Sequence, residues 1–139
     1  MSKRTFIWFG ILVLVLAVVI PFAAFRAKGD GESGETKVPA NLKQAQSLFV
    51  TNCGTCHSLY SAGTDGNYGP DLDELLAASG PPEGKGAEDT IKSTEGRVFN
   101  AIENGVDSST TPGRMPPGIL NEEQAEEVSE FVARTAGQG

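Results

Sequence analysis

Residues 53–57 read Cys53-Gly54-Thr55-Cys56-His57, and the twelve residues before them are N-L-K-Q-A-Q-S-L-F-V-T-N. Ala45, Leu48, Phe49 and Asn52 recur in that stretch at i, i+3, i+4 and i+7, so residues 41–52 are expected to form a helix with one inward face. The two thiols then stand at a helix end, three residues apart. Each can add to one vinyl group of the same haem, and the imidazole that follows can reach the iron from the same side. C-x-x-C-H is the spacing of covalent haem attachment. Three other readings are weaker. A thioredoxin-like redox pair needs a strand-to-helix junction in a βαβ unit, and no strands are evident. A zinc site needs four ligands, but the chain holds two Cys and one His. A plain disulfide leaves His57 unexplained.

His57 is the only histidine and is read as one axial ligand. The other follows by elimination. Of two methionines, Met1 begins the chain, and Met115 lies in Gly113-Arg114-Met115-Pro116-Pro117-Gly118. A methionine is often core filler. Here there is no helical or strand period, and two prolines stiffen the backbone beside a thioether. Met115 is therefore the expected second ligand, and His/Met ligation raises a haem's potential.

Working outward, residues 71–79 after Gly69-Pro70 place Leu72, Leu75 and Leu76 on one helix face. Residues 80–92 read as an exposed loop. Residues 94–104 form a third helix with Val98, Phe99, Ala101 and Ile102 inward, and Gly105 is placed to end it. Asn121 caps a last helix, with Gln124 three residues on and Ala125, Val128, Phe131 and Val132 on its inner face. These stripes read as helix packing. The fold class is all-α, about four short helices around one haem. About 100 residues bury a modest core, and such small domains often need a cofactor as a staple.

The chain from about residue 41 to 136 resembles the single-haem class I cytochromes c. The matching motifs are L-F-x-x-x-C-x-x-C-H at 48–57, G-P-D-L at 69–72, A-I-E-N-G at 101–105 and R-M-P-P at 114–117, followed by the closing helix. The resemblance implies that the first and last helices cross. It also implies that the Pro70 carbonyl accepts a hydrogen bond from the His57 ring, which would raise the donor strength of the imidazole. The chain departs from the family in two places. Ala45 stands where a glycine is usual at the crossing, and Phe131 where Tyr or Trp is common.

Residues 6–25 hold 20 residues without a charge. At about 1.5 Å each they would span about 30 Å, the hydrocarbon thickness of a bilayer. A secretory signal has a shorter apolar region and small residues before its cut. Cuts after Ala24 or Ala27 would put Phe22 or Phe25 at the third position before the cut, where bulky aromatics are poor. The division expected is a transmembrane anchor over residues 1–26, a Gly-rich and charged linker over 27–40, and the haem domain over 41–139. A linker of about 14 residues reaches roughly 20 Å. Lys3 and Arg4 before the span balance Arg26 and Lys28 after it, so charge does not set the orientation. The family attaches its haem beyond the cytoplasmic membrane, which implies a cell-membrane protein with its haem domain on the periplasmic or extracellular side.

From residue 29 onward seven basic residues face 18 acidic ones, a balance of −11. So acidic a body disfavours nucleic acid and anionic lipid heads as partners. With His57 committed to iron, no nucleophile–base pair remains, and two strong axial ligands disfavour substrate binding. The expectation is an electron carrier, not an enzyme, working between respiratory partners such as a quinol:cytochrome c oxidoreductase and a terminal oxidase. A fixed haem subunit of one such complex is the alternative. A haem-based gas sensor, with Met115 dissociating, is a third reading, but it lacks an output domain.

Overall fold

The computed structural model describes residues 8, 12–17, 19–20, 38–107 and 113–139. The chain divides into two compact units, Met1–Gly34 and Glu35–Gly139. In the first, Trp8, Leu12 to Ala17, Val19 and Ile20 are helical with exposed side chains. The remainder of the expected anchor, and the linker up to residue 37, lie outside the described residues. Among the described residues no helix is long and apolar enough to cross a membrane.

Among its described residues the second unit is built on four α-helices. A 3₁₀ turn over Ala40–Leu42 leads into α1, Lys43–Asn52. Helix α2 spans Leu72–Ala77, α3 Ala87–Asn104 and α4 Glu122–Thr135. Helix α4 starts as its sequence requires. The Asn121 side chain accepts from the Gln124 amide, and the Gln124 side chain accepts from the Asn121 amide, satisfying two of the donors that a helix start leaves unpaired. Its expected inner face of Ala125, Val128, Phe131 and Val132 is fully buried. Ser129, Ala133 and Thr135 are buried too: both α1 and α3 pack on α4, and the Ser61 hydroxyl donates to Thr135 Oγ1. The rings of Phe49 on α1 and Phe131 on α4 stand 6.0 Å apart at 60°, a tilted pairing favoured by the ring quadrupoles. Ala45, 3% exposed, lies in the same buried cluster as this pair.

The structure corrects several expectations. Helix α3 begins seven residues before Thr94, so residues 87–92 are helix rather than loop. Glu88 and Asp89 in its first turn suit the positive end of the helix dipole, and Ile91 is buried. Its N-cap is Gly86, without a side-chain cap, which hid the start among the neighbouring glycines. Strands do exist: β1 (Ser58–Leu59) and β2 (Thr64–Asp65) pair antiparallel around a 3₁₀ turn at Tyr60–Ala62. At two residues each they are too short to show an alternating pattern. Leu75 points outward at 53% exposed while Leu72 and Leu76 pack on the core. Asn52 is exposed and bonds back to the Leu48 carbonyl, so the inner face of α1 ends at Phe49.

Among the described residues, Ser129 Oγ is the buried side-chain polar atom without a hydrogen-bond partner. Burying an unpartnered hydroxyl destabilises the fold. Ser129→Ala is therefore expected to raise stability by about 1 kcal/mol, read as a higher denaturant midpoint at unchanged slope.

Candidate haem-binding site

The C-x-x-C-H segment coils where α1 ends. The Phe49 carbonyl accepts from both the Cys53 and Gly54 amides, at 2.8 and 3.0 Å. The Cys53 carbonyl then accepts from the amides of Cys56 and His57, at 3.0 and 2.9 Å. Two successive turns thus gather both thiols and the imidazole at one helix end. Both cysteines are free and half-buried. For the free thiol that precedes attachment, burial, with the neighbouring Cys56 adding to it, pushes Cys53 up to about 11.

His57 Nδ1 lies 2.9 Å from the carbonyl oxygen of Pro70, the contact implied by the resemblance. A carbonyl can only accept, so Nδ1 carries the proton and Nε2 keeps its lone pair for a metal. Close approach makes this possible. A Cβ on Gly69 would sit 2.6 Å from the ring Cε1 and 2.8 Å from Nδ1, so only glycine lets this backbone lie against the imidazole. The Gly69 amide also donates to the Cys56 carbonyl at 2.8 Å, tying the Gly69-Pro70 turn to the motif. Cys53, Cys56, His57 and Pro70 are therefore one assembly.

Met115 arrives on a different segment. Val106 and Met115 form an antiparallel bridge, each amide donating to the other's carbonyl at 3.0 Å. This two-residue ladder pins Met115 to the end of α3. Gly105 makes it possible: its φ is +71°, and a Cβ there would lie 2.6 Å from the Met115 carbonyl oxygen. The Met115 side chain is half-buried and packs on the same buried cluster as Cys53. Arg114 pairs with Asp107 at 3.0 Å, but both are well exposed and the pair contributes little.

Two aspartates flanking this assembly were not singled out in the sequence. Asp71 caps α2 by accepting from the Glu74 amide, and its other oxygen accepts from the Ser58 hydroxyl at 2.8 Å. Asp73 accepts from the Tyr60 amide at 2.8 Å. The available signal was an acid directly after Gly-Pro at a helix start, a pattern for capping.

The residues fit a covalent haem. Free thiols stand beside a histidine whose remaining nitrogen is a lone-pair donor. Leu48, Leu72, Leu76, Val98, Phe99 and Met115 are half-buried apolar side chains on the same core, a set suited to an apolar macrocycle. What the fold and site define is a small helical protein with covalently bound haem. Residues 42–136 match the model of the cytochrome c family, and the chain belongs to that family. No curated protein compared with it matches. It carries haem c, covalently bound at the C-x-x-C-H cysteines, and serves in electron transfer rather than as an enzyme by itself.

Two substitutions test this frame. Gly105→Ala forces a side chain into a positive-φ position against backbone. It should lower stability by more than about 1 kcal/mol, measured by denaturant unfolding of the haem-loaded protein. The Asp71 carboxyl is held below its ordinary value by the Glu74 amide first and the Ser58 hydroxyl second. A lowered carboxylate stabilises the fold above its unfolded pKa of about 3.9, and that stabilisation disappears as pH falls through the folded value. Asp71→Ala should thus cost about 1 kcal/mol near neutrality, with the gap from wild type closing below about pH 4.

Proposed function

We propose that this cytochrome c is a membrane-tethered carrier that passes single electrons between respiratory partners, with His57 and Met115 as the axial ligands of its haem. The observation carrying this reading is the His57–Pro70 hydrogen bond, which leaves Nε2 as a donor, together with the bridge that fixes Met115 on the same core. When bound, the haem supplies a ferric/ferrous couple. The protein's part is to keep both axial positions filled, so that the iron offers no place to a substrate or gas, and to surround it with apolar side chains.

The tether is residues 6–25, apolar and uncharged over their whole length, with the haem domain on the periplasmic or extracellular side. Partners are redox proteins, such as a quinol:cytochrome c oxidoreductase and a terminal oxidase. The surface suggests their electrostatics. Glu122, Glu123, Glu126, Glu127 and Glu130 crowd α4, so a partner with a basic docking patch would be drawn in faster at low salt.

Met115→Ala is the test. The reduced wild-type protein should leave carbon monoxide unbound, and its oxidised form should show the weak near-infrared sulfur-to-iron band. The variant should lose that band, bind carbon monoxide and fall in midpoint potential. Carbon monoxide binding by the wild type would sink the His/Met reading.

A further inference from the structure

The Pro70 carbonyl can hold the His57 ring only while the segment bearing each keeps its place. Residue 57 runs directly into β1, and residue 70 leads through Asp71 into α2. Asp73, on the first turn of α2, spans the gap between them. One carboxylate oxygen, Oδ2, accepts from the Tyr60 amide at 2.8 Å, just past β1. The other, Oδ1, accepts from the Gly137 amide at 2.6 Å, just past α4. A single half-buried side chain thus joins three parts of the fold, both of its oxygens engaged by backbone amides. Such charge-assisted bonds are roughly twice as strong as neutral ones.

We propose that Asp73 is a positioning residue for His57. By locking β1, α2 and the end of α4 together it keeps the Pro70 carbonyl against Nδ1, and so sets how strongly the imidazole donates to the haem iron. The inference rests on the reading of His57 as an iron ligand.

Asp71 supplies the control, because its contacts differ in chemistry. Its oxygens accept from the Glu74 amide and the Ser58 hydroxyl. A hydroxyl can turn from donor to acceptor, so asparagine at 71 keeps both contacts. Asparagine at 73 cannot: two backbone amides need two acceptors, and its NH₂ would face an N–H. Asp71→Asn and Asp73→Asn each remove one negative charge close to Pro70, but only the second breaks the geometry.

The experiment uses the full chain matured with haem. NMR of the ferric protein follows the hyperfine-shifted His57 ring and the exchange of its Nδ1 proton with solvent, and the midpoint potential is measured beside it. In Asp73→Asn that proton should exchange about tenfold faster than in wild type or Asp71→Asn, the scale of one lost hydrogen bond. The potential should also lie above that of Asp71→Asn, because a weaker imidazole donor stabilises ferric iron less. Asp73→Glu keeps the charge but sets the oxygens one carbon further out. It should show the same change in smaller degree, and it stands in if the asparagine variant fails to mature. Exchange in the residue-73 variants no faster than in Asp71→Asn would overturn the inference alone. A wild-type ring without a hyperfine shift would overturn the ligation reading and this inference with it.

Discussion

The ring of Phe49 packs on Phe131, while its carbonyl oxygen accepts the amides of Cys53 and Gly54. One residue therefore belongs to both the core and the site. Phe49 and Phe131 are the large buried side chains where α1 meets α4, at 1% and 0% exposed. Their burial sets where α1 ends in space, and the doubly accepting carbonyl turns the chain there into the haem-binding segment. If this contact shifted, the thiols and imidazole would shift with it. Stability and site geometry are coupled through this residue, because the same aromatic burial that holds the helices together also places the site.

Around that anchor the fold relies on backbone approach more than on large side chains. Gly69 lies against the His57 ring and Gly105 lies against the Met115 carbonyl, each too close for a Cβ. One serves the histidine segment and the other the methionine segment. The two segments differ in how they are held. Around His57, the Gly69 amide donates to the Cys56 carbonyl, the His57 ring to the Pro70 carbonyl and the Ser58 hydroxyl to Asp71. Met115 is held by a two-residue ladder at the end of α3, and the Gly118 amide that follows donates to the Ile102 carbonyl of the same helix.

Helix faces and caps are legible in the order of residues alone. The inner face of α4 and its Asn121–Gln124 capping box follow from period and residue type, because both are local. The start of α3 is not legible in that way. Gly84-Lys85-Gly86 has the composition of a loop, and the helix is secured instead by burial of Ile91 and Thr94 against the rest of the fold. The short β pair is hidden for a related reason: two residues per strand carry no periodicity, and the pairing is made by the turn between them.

At the site, the sequence by itself determined the chemistry. C-x-x-C-H names the covalent attachment of the haem, and the proposal of His57 and Met115 as its ligands starts from a single histidine and a single methionine beyond the first residue. Those conclusions depend on which side chains exist and how far apart they are along the chain. Only the tertiary structure decided what holds them: the Pro70 carbonyl at Nδ1, the Val106–Met115 ladder, and Asp73 reaching from α2 to the Tyr60 and Gly137 amides. Asp73 and Gly137 are 64 residues apart. A hydrogen bond closed over that distance depends on how the helices pack, and no local pattern of residues encodes it.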